Sequence, residues 1–298
     1  MKRVKFALLS KDIQDLLKRI GAEADKAGVG VYVVGGVVRD LLLGQASSDI
    51  DVVVEGDGFA FARKLAHKLK VEAVFHERFR TAALTLKDGM VLDVVTARRE
   101  TYAQPGALPD IVPATMKEDL LRRDFTFNAL AAGLNADNFS VLRDDLQGLE
   151  DLEARLIRVM HERSFIDDPT RILRAARYAV RFGFQFDALT QDLLDQAVDQ
   201  DVFKTLTPTR YFLELRRILE EDDPLPPLDL LMAWGAVRYV PYDAGGRGRL
   251  AAAGEAPWEV CLAALLKGMP QAGVDELCVL FNLSRAARQK ILQALQAA

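Results

Sequence analysis

Apolar residues recur at helical spacing from Ile13 through Leu16, Leu17 and Ile20 to Ala24, which predicts an amphipathic first helix over residues 11–24. Val31-Tyr-Val-Val34 has the character of a buried strand. Gly35-Gly36 then turn the chain into a short helix from Val37 to Leu43 that stops at Gly44. Ile50 to Val54 predicts a second strand, and Phe59 to Leu69 a helix with Phe61, Leu65 and Leu69 on one face. Thr81 to Leu86 and Met90 to Val95 flank Asp88-Gly89, a strong hairpin signal. After a loop holding Pro105, Gly106, Pro109 and Pro113, residues 118–134 are expected to be helical. Beyond Asp144 strand signals almost vanish, and helical periodicity takes over in 168–182, 190–199 and 208–221. The pattern predicts an α/β head on a small mixed sheet over 1–145 and a helical neck over 146–225. A short helical body over 226–298 follows, set off by a helix break at Pro224, Pro226 and Pro227.

Composition narrows the class. Half of the 298 residues are apolar and 28% are charged, enough for one large or two ordinary domains with a real core, and unlike disorder, collagen or a coiled coil. Cys261 and Cys278 make no disulfide scaffold, and three histidines leave little for a His/Cys metal site. Cys261 and Cys278 are expected in the core, Trp234 and Trp258 in core or interdomain packing; His67 and His161 show no ligand spacing, and His76 precedes the basic turn Glu77-Arg78-Phe79-Arg80, expected as solvated surface. No run of 18 apolar residues occurs and no signal-peptide cleavage pattern follows Met1, so a soluble, cytoplasmic protein without a membrane partner is expected. The net charge of -4 argues at first sight against a nucleic-acid partner. Between Arg155 and Arg181, however, seven arginines stand against three acids.

The most chemical stretch is Ser48-Asp-Ile-Asp-Val-Val-Val54. Side chains alternate along a strand, so Asp49 and Asp51 share a face opposite Ile50 and Val52. Two neighbouring carboxylates repel unless a cation lies between them, and Mg²⁺ is held by one or two carboxylates plus substrate phosphates. Asp93, set in the apolar run Val91-Leu-Asp-Val-Val95, is a candidate third carboxylate from a neighbouring strand. An Asp-x-Asp pair alone is common on solvated strand ends. Here it follows Gly35-Gly36, a strand-to-helix turn suited to an anion, with Arg39 and Asp40 in the helix that follows. A phosphate cradle close to an acid pair suggests two-metal phosphoryl or nucleotidyl transfer.

Farther along, Arg122-Arg123-Asp124 lies among Leu120, Leu121, Phe125 and Phe127, so a buried polar network is expected there. Arg171, Arg174, Arg177 and Arg181 fall on one side of a helix whose other side carries Ile172, Leu173, Ala175, Ala176 and Ala179. That helix is expected to join the core to something anionic.

Val33-Val-Gly-Gly-Val-Val-Arg-Asp-Leu-Leu-Leu-Gly44 with Ser48-Asp-Ile-Asp51 resembles the first motif of the class II tRNA nucleotidyltransferases. These enzymes, with the bacterial poly(A) polymerases, belong to the polymerase-β superfamily. Asp119-Leu-Leu-Arg-Arg-Asp-Phe-Thr-Phe-Asn-Ala129 is similar to the second motif, and the stretch from Ile157 to Arg177 to the region that recognises the incoming base. The resemblance covers residues 31–184 and implies a polymerase-β-like head. It also implies that Asp49 and Asp51 hold two Mg²⁺ ions, while Gly35, Gly36 and Arg39 contact the triphosphate of ATP or CTP. Arg122, Arg123, Asp124 and Asn128 would bind the sugar and phosphates. Asp168 and Arg171 occupy the places of the acid and arginine that pair with the base edge, a fit to the exocyclic amine of ATP and CTP that UTP lacks. Arg174 and Arg177 would extend that nucleotide-binding face.

The implied activity is template-independent addition of AMP and/or CMP to a tRNA 3′ end. A poly(A) polymerase of the same family and a catalytically silent RNA-binding protein are the alternatives. A small-molecule nucleotidyltransferase is disfavoured by the long helical half. Residues 101–110 lack the arginine-rich stretch of many CCA-adding members and are more similar to A-adding ones, and Asp167-Asp168 stands where Glu-Asp is frequent. The helical part is shorter than in many relatives, as if a tail were missing or truncated.

Overall fold

The computed structural model describes residues 2–46 and 50–297, so Asp49 lies outside the described residues. The chain forms two compact units, one from the segments ending at Ala103 and spanning Pro109–Met160, the other from Gln104–Leu108 and the chain from His161 onward.

In the first unit, α1 (Lys11–Ala27) starts where the Ser10 hydroxyl accepts the Ile13 N–H at 3.3 Å and ends at Gly28 with φ +66°. Its buried residues include the stripe from Ile13 to Ala24 expected from periodicity. There follow β1 (Gly30–Val34), α2 (Gly36–Leu42), β2 (Ile50–Glu55), α3 (Gly58–Leu69), β3 (Glu72–His76), β4 (Thr81–Thr85), β5 (Val91–Thr96), β6 (Arg98–Thr101), β7 (Asp110–Pro113) and α4 (Met116–Leu121). β8 (Ala131–Gly133), β9 (Leu142–Arg143), α5 (Gly148–Ala154) and β10 (Leu156–Ile157) complete it. One seven-stranded sheet runs β3-β4-β5-β2-β1-β8-β9. β2 and β5 are parallel and the other neighbours antiparallel, so the sheet is mixed, as expected. β4 and β5 form the hairpin at Asp88-Gly89, where Gly89 takes φ +86°. Val53, two residues from Asp51 and on the same face, packs with Met116 and Leu120 of α4.

Residues 118–134 do not form the single helix expected. α4 ends at Leu121, Thr126–Asn128 make one 3-10 turn, and Ala131–Gly133 is a buried strand paired with Tyr32–Val34. A short apolar run such as Ala129-Leu-Ala-Ala132 has no period that separates a buried helix from a buried strand. Sheet pairing decides, and so does Gly133, where a Cβ would come within 2.1 Å of Asn138 Oδ1.

Residues 146–160, expected with the helical neck, belong to the first unit. The buried Asp151 carboxylate accepts the Thr126 hydroxyl at 2.6 Å and Arg158 Nε at 3.0 Å, and the Thr126 N–H donates to the Arg158 carbonyl at 3.0 Å.

The second unit is almost wholly helical, as expected: α6 (Ser164–Asp167), α7 (Thr170–Phe182), β11 (Gln185–Phe186), α8 (Ala188–Asp199), α9 (Pro208–Leu219), α10 (Leu225–Ala233), α11 (Ala244–Ala253), α12 (Trp258–Leu266), α13 (Gln271–Leu280) and α14 (Arg285–Ala297). Pro226 and Pro227 do not merely break the chain. They stand in the first turn of α10, where a missing N–H costs nothing. Phe212 stacks on Phe281 with centroids 4.6 Å apart and meets Trp258 at 5.5 Å, and Cys261 and Cys278 are buried thiols. Among the described residues no helix is long and apolar enough to cross a membrane.

Candidate functional site

The parallel pairing of β2 with β5 sets Asp51 directly beside Asp93. Neighbouring strands lie about 4.8 Å apart, so both carboxylates project side by side from the face that also carries Val53. The acid in an apolar strand thus has a charged neighbour. Hard carboxylate oxygens in this arrangement suit a magnesium ion, which relieves their repulsion. Among the described residues no three ligand-type side chains converge.

The turn between β1 and α2 lies close by. Gly35 has φ +70° and ψ −129°, a conformation open in practice to glycine alone, and a Cβ there would fall 2.8 Å from Arg123 Nη1. The Gly35 N–H donates to the Leu130 carbonyl at 3.1 Å, so that donor is spent. What the bare turn provides is close approach to a buried guanidinium. Behind it runs a buried chain of hydrogen bonds. Arg39, 6% exposed, donates from Nη1 to Asn128 Oδ1 at 2.7 Å and from Nε to Asp40 at 2.8 Å. Asn128 Nδ2 in turn donates to Asp124 at 3.0 Å. Arg39 is therefore joined in one network with Asn128, 89 residues on, and with the near neighbour of Asn128, Asp124.

Arg122 and Arg123 are held by an acid that motif reading passed over. Asp119, 0% exposed, accepts Arg122 Nε at 2.9 Å, Arg123 Nη2 at 3.1 Å and the Arg98 N–H at 3.2 Å. Burial pushes the Asp119 carboxyl up, but the two guanidiniums outweigh it and hold the group below the usual carboxylate range. Glu100 is a second counterion, accepting Arg98 Nε at 3.0 Å and Arg122 Nη1 at 3.2 Å. Burial alone would lower Arg122, yet Asp119 and Glu100 together raise it. Arg123 differs: burial prevails over Asp119, Arg122 repels it, and the Asp51 charge adds a smaller attraction. Its Nε is buried and finds no hydrogen-bond acceptor among the described residues. Arg123 is thus the under-compensated cation of the group. The spacing of Asp119 to Arg122 and Arg123, three and four residues along one helical end, was the available signal.

In the second unit, Asp168 Oδ1 accepts the Thr170 N–H at 3.1 Å, the Thr170 hydroxyl at 2.6 Å and Arg210 Nη2 at 2.8 Å. Arg171 is buried and donates to the Ser164 hydroxyl. Arg210 and Ser164 escaped sequence reading because both lie outside the spacing that links Asp168 to Arg171. Anions facing the arginine side of α7 come from α9 and from the residues just beyond its end: Arg174 reaches Glu214 of α9 at 3.5 Å, and Arg177 and Arg181 reach Glu221 at 3.2 and 3.5 Å. His161 is pulled below its usual value, first by burial and then by the Arg171 charge.

Residues 31–158 match the family described as Poly A polymerase head domain. The chain is 41% identical over 225 residues to an A-adding tRNA nucleotidyltransferase of Geobacter sulfurreducens, covering 76% of this chain and 26% of that protein. It is 41% identical over 229 residues to a CC-adding tRNA nucleotidyltransferase of Deinococcus radiodurans, covering 77% of this chain and 59% of that one. The chain thus spans less than two thirds of either relative. Among solved structures, a CCA-adding enzyme in an apo form aligns with a TM-score of 0.83 at 34% identity, over 100% of this chain and 76% of that one. The Thermotoga maritima CCA-adding enzyme complexed with tRNA aligns with a TM-score of 0.79 at 34% identity, over 100% and 73%.

Proposed function

This chain belongs to the class II tRNA nucleotidyltransferase family, and from that premise we propose that it extends tRNA 3′ ends without a nucleic-acid template. The proposed substrates are a tRNA 3′ hydroxyl and ATP or CTP, the product besides the extended RNA is pyrophosphate, and the compartment is the cytoplasm. AMP is the favoured addition, in keeping with residues 101–110 and with the similarity to A-adding relatives.

The observation that carries the reading is the pairing of Asp51 with Asp93 beside the under-compensated Arg123. Asp49 and Asp51, with Asp93 as a further carboxylate, would hold magnesium, which when bound would activate the 3′ hydroxyl and neutralise charge on the departing pyrophosphate. Arg123 meets the triphosphate across the bare Gly35-Gly36 turn. Arg39, Asp124 and Asn128 hold the sugar and the nearer phosphates, and Asp119, which also accepts from Arg122, keeps Arg123 in place. Asp168 accepts the exocyclic amine of the base and Arg171 donates to its ring nitrogen or carbonyl. Arg174 and Arg177 brace that helix against Glu214 and Glu221, so their part in nucleotide binding is indirect.

The test is incubation with tRNAs ending before, within and just short of CCA, with labelled ATP or CTP. One AMP on a tRNA ending in CC is the expected result. A long A-tail would replace the proposal with a poly(A) polymerase, and RNA binding without incorporation in the presence of Mg²⁺ would replace it with a silent RNA-binding protein.

A further inference from the structure

The two oxygens of Asp168 are not equivalent. Oδ1 takes three donors, namely the Thr170 N–H, the Thr170 hydroxyl and Arg210 Nη2. Oδ2 takes no hydrogen bond from the described residues, and the side chain is 19% exposed. The same Arg210 guanidinium spends Nη1 on the carbonyls of Gly106 and Ala107, at 2.7 and 3.4 Å. The loop so gripped is further tied by the Gly106 N–H to the Asp167 carbonyl at 3.3 Å. It lies so near Thr205 only because Gly106, at φ +68°, has no Cβ, which would fall 2.5 Å from Thr205 Oγ1. One planar cation therefore fastens a carboxylate oxygen and a loop at once.

A carboxylate turns readily about its last torsion, which is broad and two-fold. Three donors on one oxygen remove that freedom, and a guanidinium does so with a fixed fork that an ammonium cannot reproduce. Resting on the base-reading role of Asp168 proposed above, we propose that Arg210 is a positioning residue for nucleotide choice. It anchors Oδ1 so that Oδ2 is the oxygen presented to the exocyclic amine of the incoming base. Nothing else in the arrangement distinguishes the two oxygens so strongly.

The experiment compares incorporation of ATP with that of purine riboside triphosphate, which lacks only the 6-amino group. If CTP is the nucleotide added, pyrimidin-2-one riboside triphosphate is the matching probe. In Arg210→Ala the preference of the wild-type protein for the amino-bearing nucleotide should fall about tenfold, the worth of a hydrogen bond to a charged group. The change should come through KM more than kcat, and Arg210→Lys should recover part of it. A clamp of merely structural importance would lower both nucleotides alike. An unchanged preference in folded Arg210→Ala overturns the proposal. Thr170→Val removes another donor from the same oxygen and carries the same test if Arg210→Ala fails to fold, an unchanged preference again being fatal. Asp168→Ala separates the two levels: if it too keeps the preference, the base-reading role of Asp168 has failed, and the anchoring with it.

Discussion

Replacing Asp119 by alanine strips the acceptor from two guanidiniums and one backbone N–H in a site from which water is largely excluded. Removing one partner of a buried ion pair costs about 3–5 kcal/mol, because the remaining charge stays buried. Arg122 and Arg123 keep 18% and 15% side-chain exposure, and Glu100 still accepts Arg122, so the loss should fall near the lower end, about 3 kcal/mol. At roughly 2–4 °C per kcal/mol, that is a fall of about 6–12 °C in the melting of the first unit, read by calorimetry at pH 7. The pH dependence gives an independent arm. The Asp119 carboxyl is held below its ordinary value of 3.8, so its stabilisation is complete above that pH and is lost as pH falls through the folded-state value. The gap between the wild-type protein and Asp119→Asn should therefore narrow on acidification below about 3.8. A fall smaller than about 2 °C at pH 7, or a gap that widens in acid, would refute the reasoning.

Asp51→Asn should leave melting unchanged or raised, since it relieves repulsion with Asp93, while abolishing incorporation; EDTA should do the same to the wild-type protein and Mg²⁺ reverse it. Incorporation by Asp51→Asn within about tenfold of wild type would sink the metal assignment. Gly35→Ala combines a positive φ with a 2.8 Å approach to Arg123, so urea unfolding should show a loss of about 1–3 kcal/mol and the nucleotide KM should rise; a neutral variant would show that the turn relaxes freely. His161 should titrate below 6.5 by NMR, and Arg171→Ala should move it upward. Because the folded imidazole resists protonation, its contribution to stability declines as pH drops below 6.5, and a titration at the ordinary value in both proteins would contradict the arrangement.

Much of this was legible along the chain. The α1 stripe, the β4–β5 hairpin at Asp88-Gly89 and the Gly35-Gly36 turn each rest on neighbours a few residues apart, where periodicity and backbone preference operate directly. The candidate residues of the motifs were visible for the same reason. The helix expected over 118–134 failed because Ala131–Gly133 owes its conformation to β1, about a hundred residues earlier. The first unit likewise runs on to Met160 because Asp151 finds Thr126, a contact that no local pattern announces.

By itself, then, the sequence determined the α/β head followed by helices, the family, and the acids and arginines from which a nucleotide site could be built. Only the tertiary structure decided how those charges are compensated. It placed Asp93 beside Asp51, set Arg122 in ion pairs with Asp119 and Glu100 and Arg123 in one with Asp119 among the described residues, paired Arg177 with Glu221, and brought Arg210 to Asp168 across 42 residues. A guanidinium at a given position looks the same in any sequence. Whether it is neutralised, strained toward an anion or used to orient another group depends on what folding packs against it, because burial removes the water that would otherwise screen each charge alike.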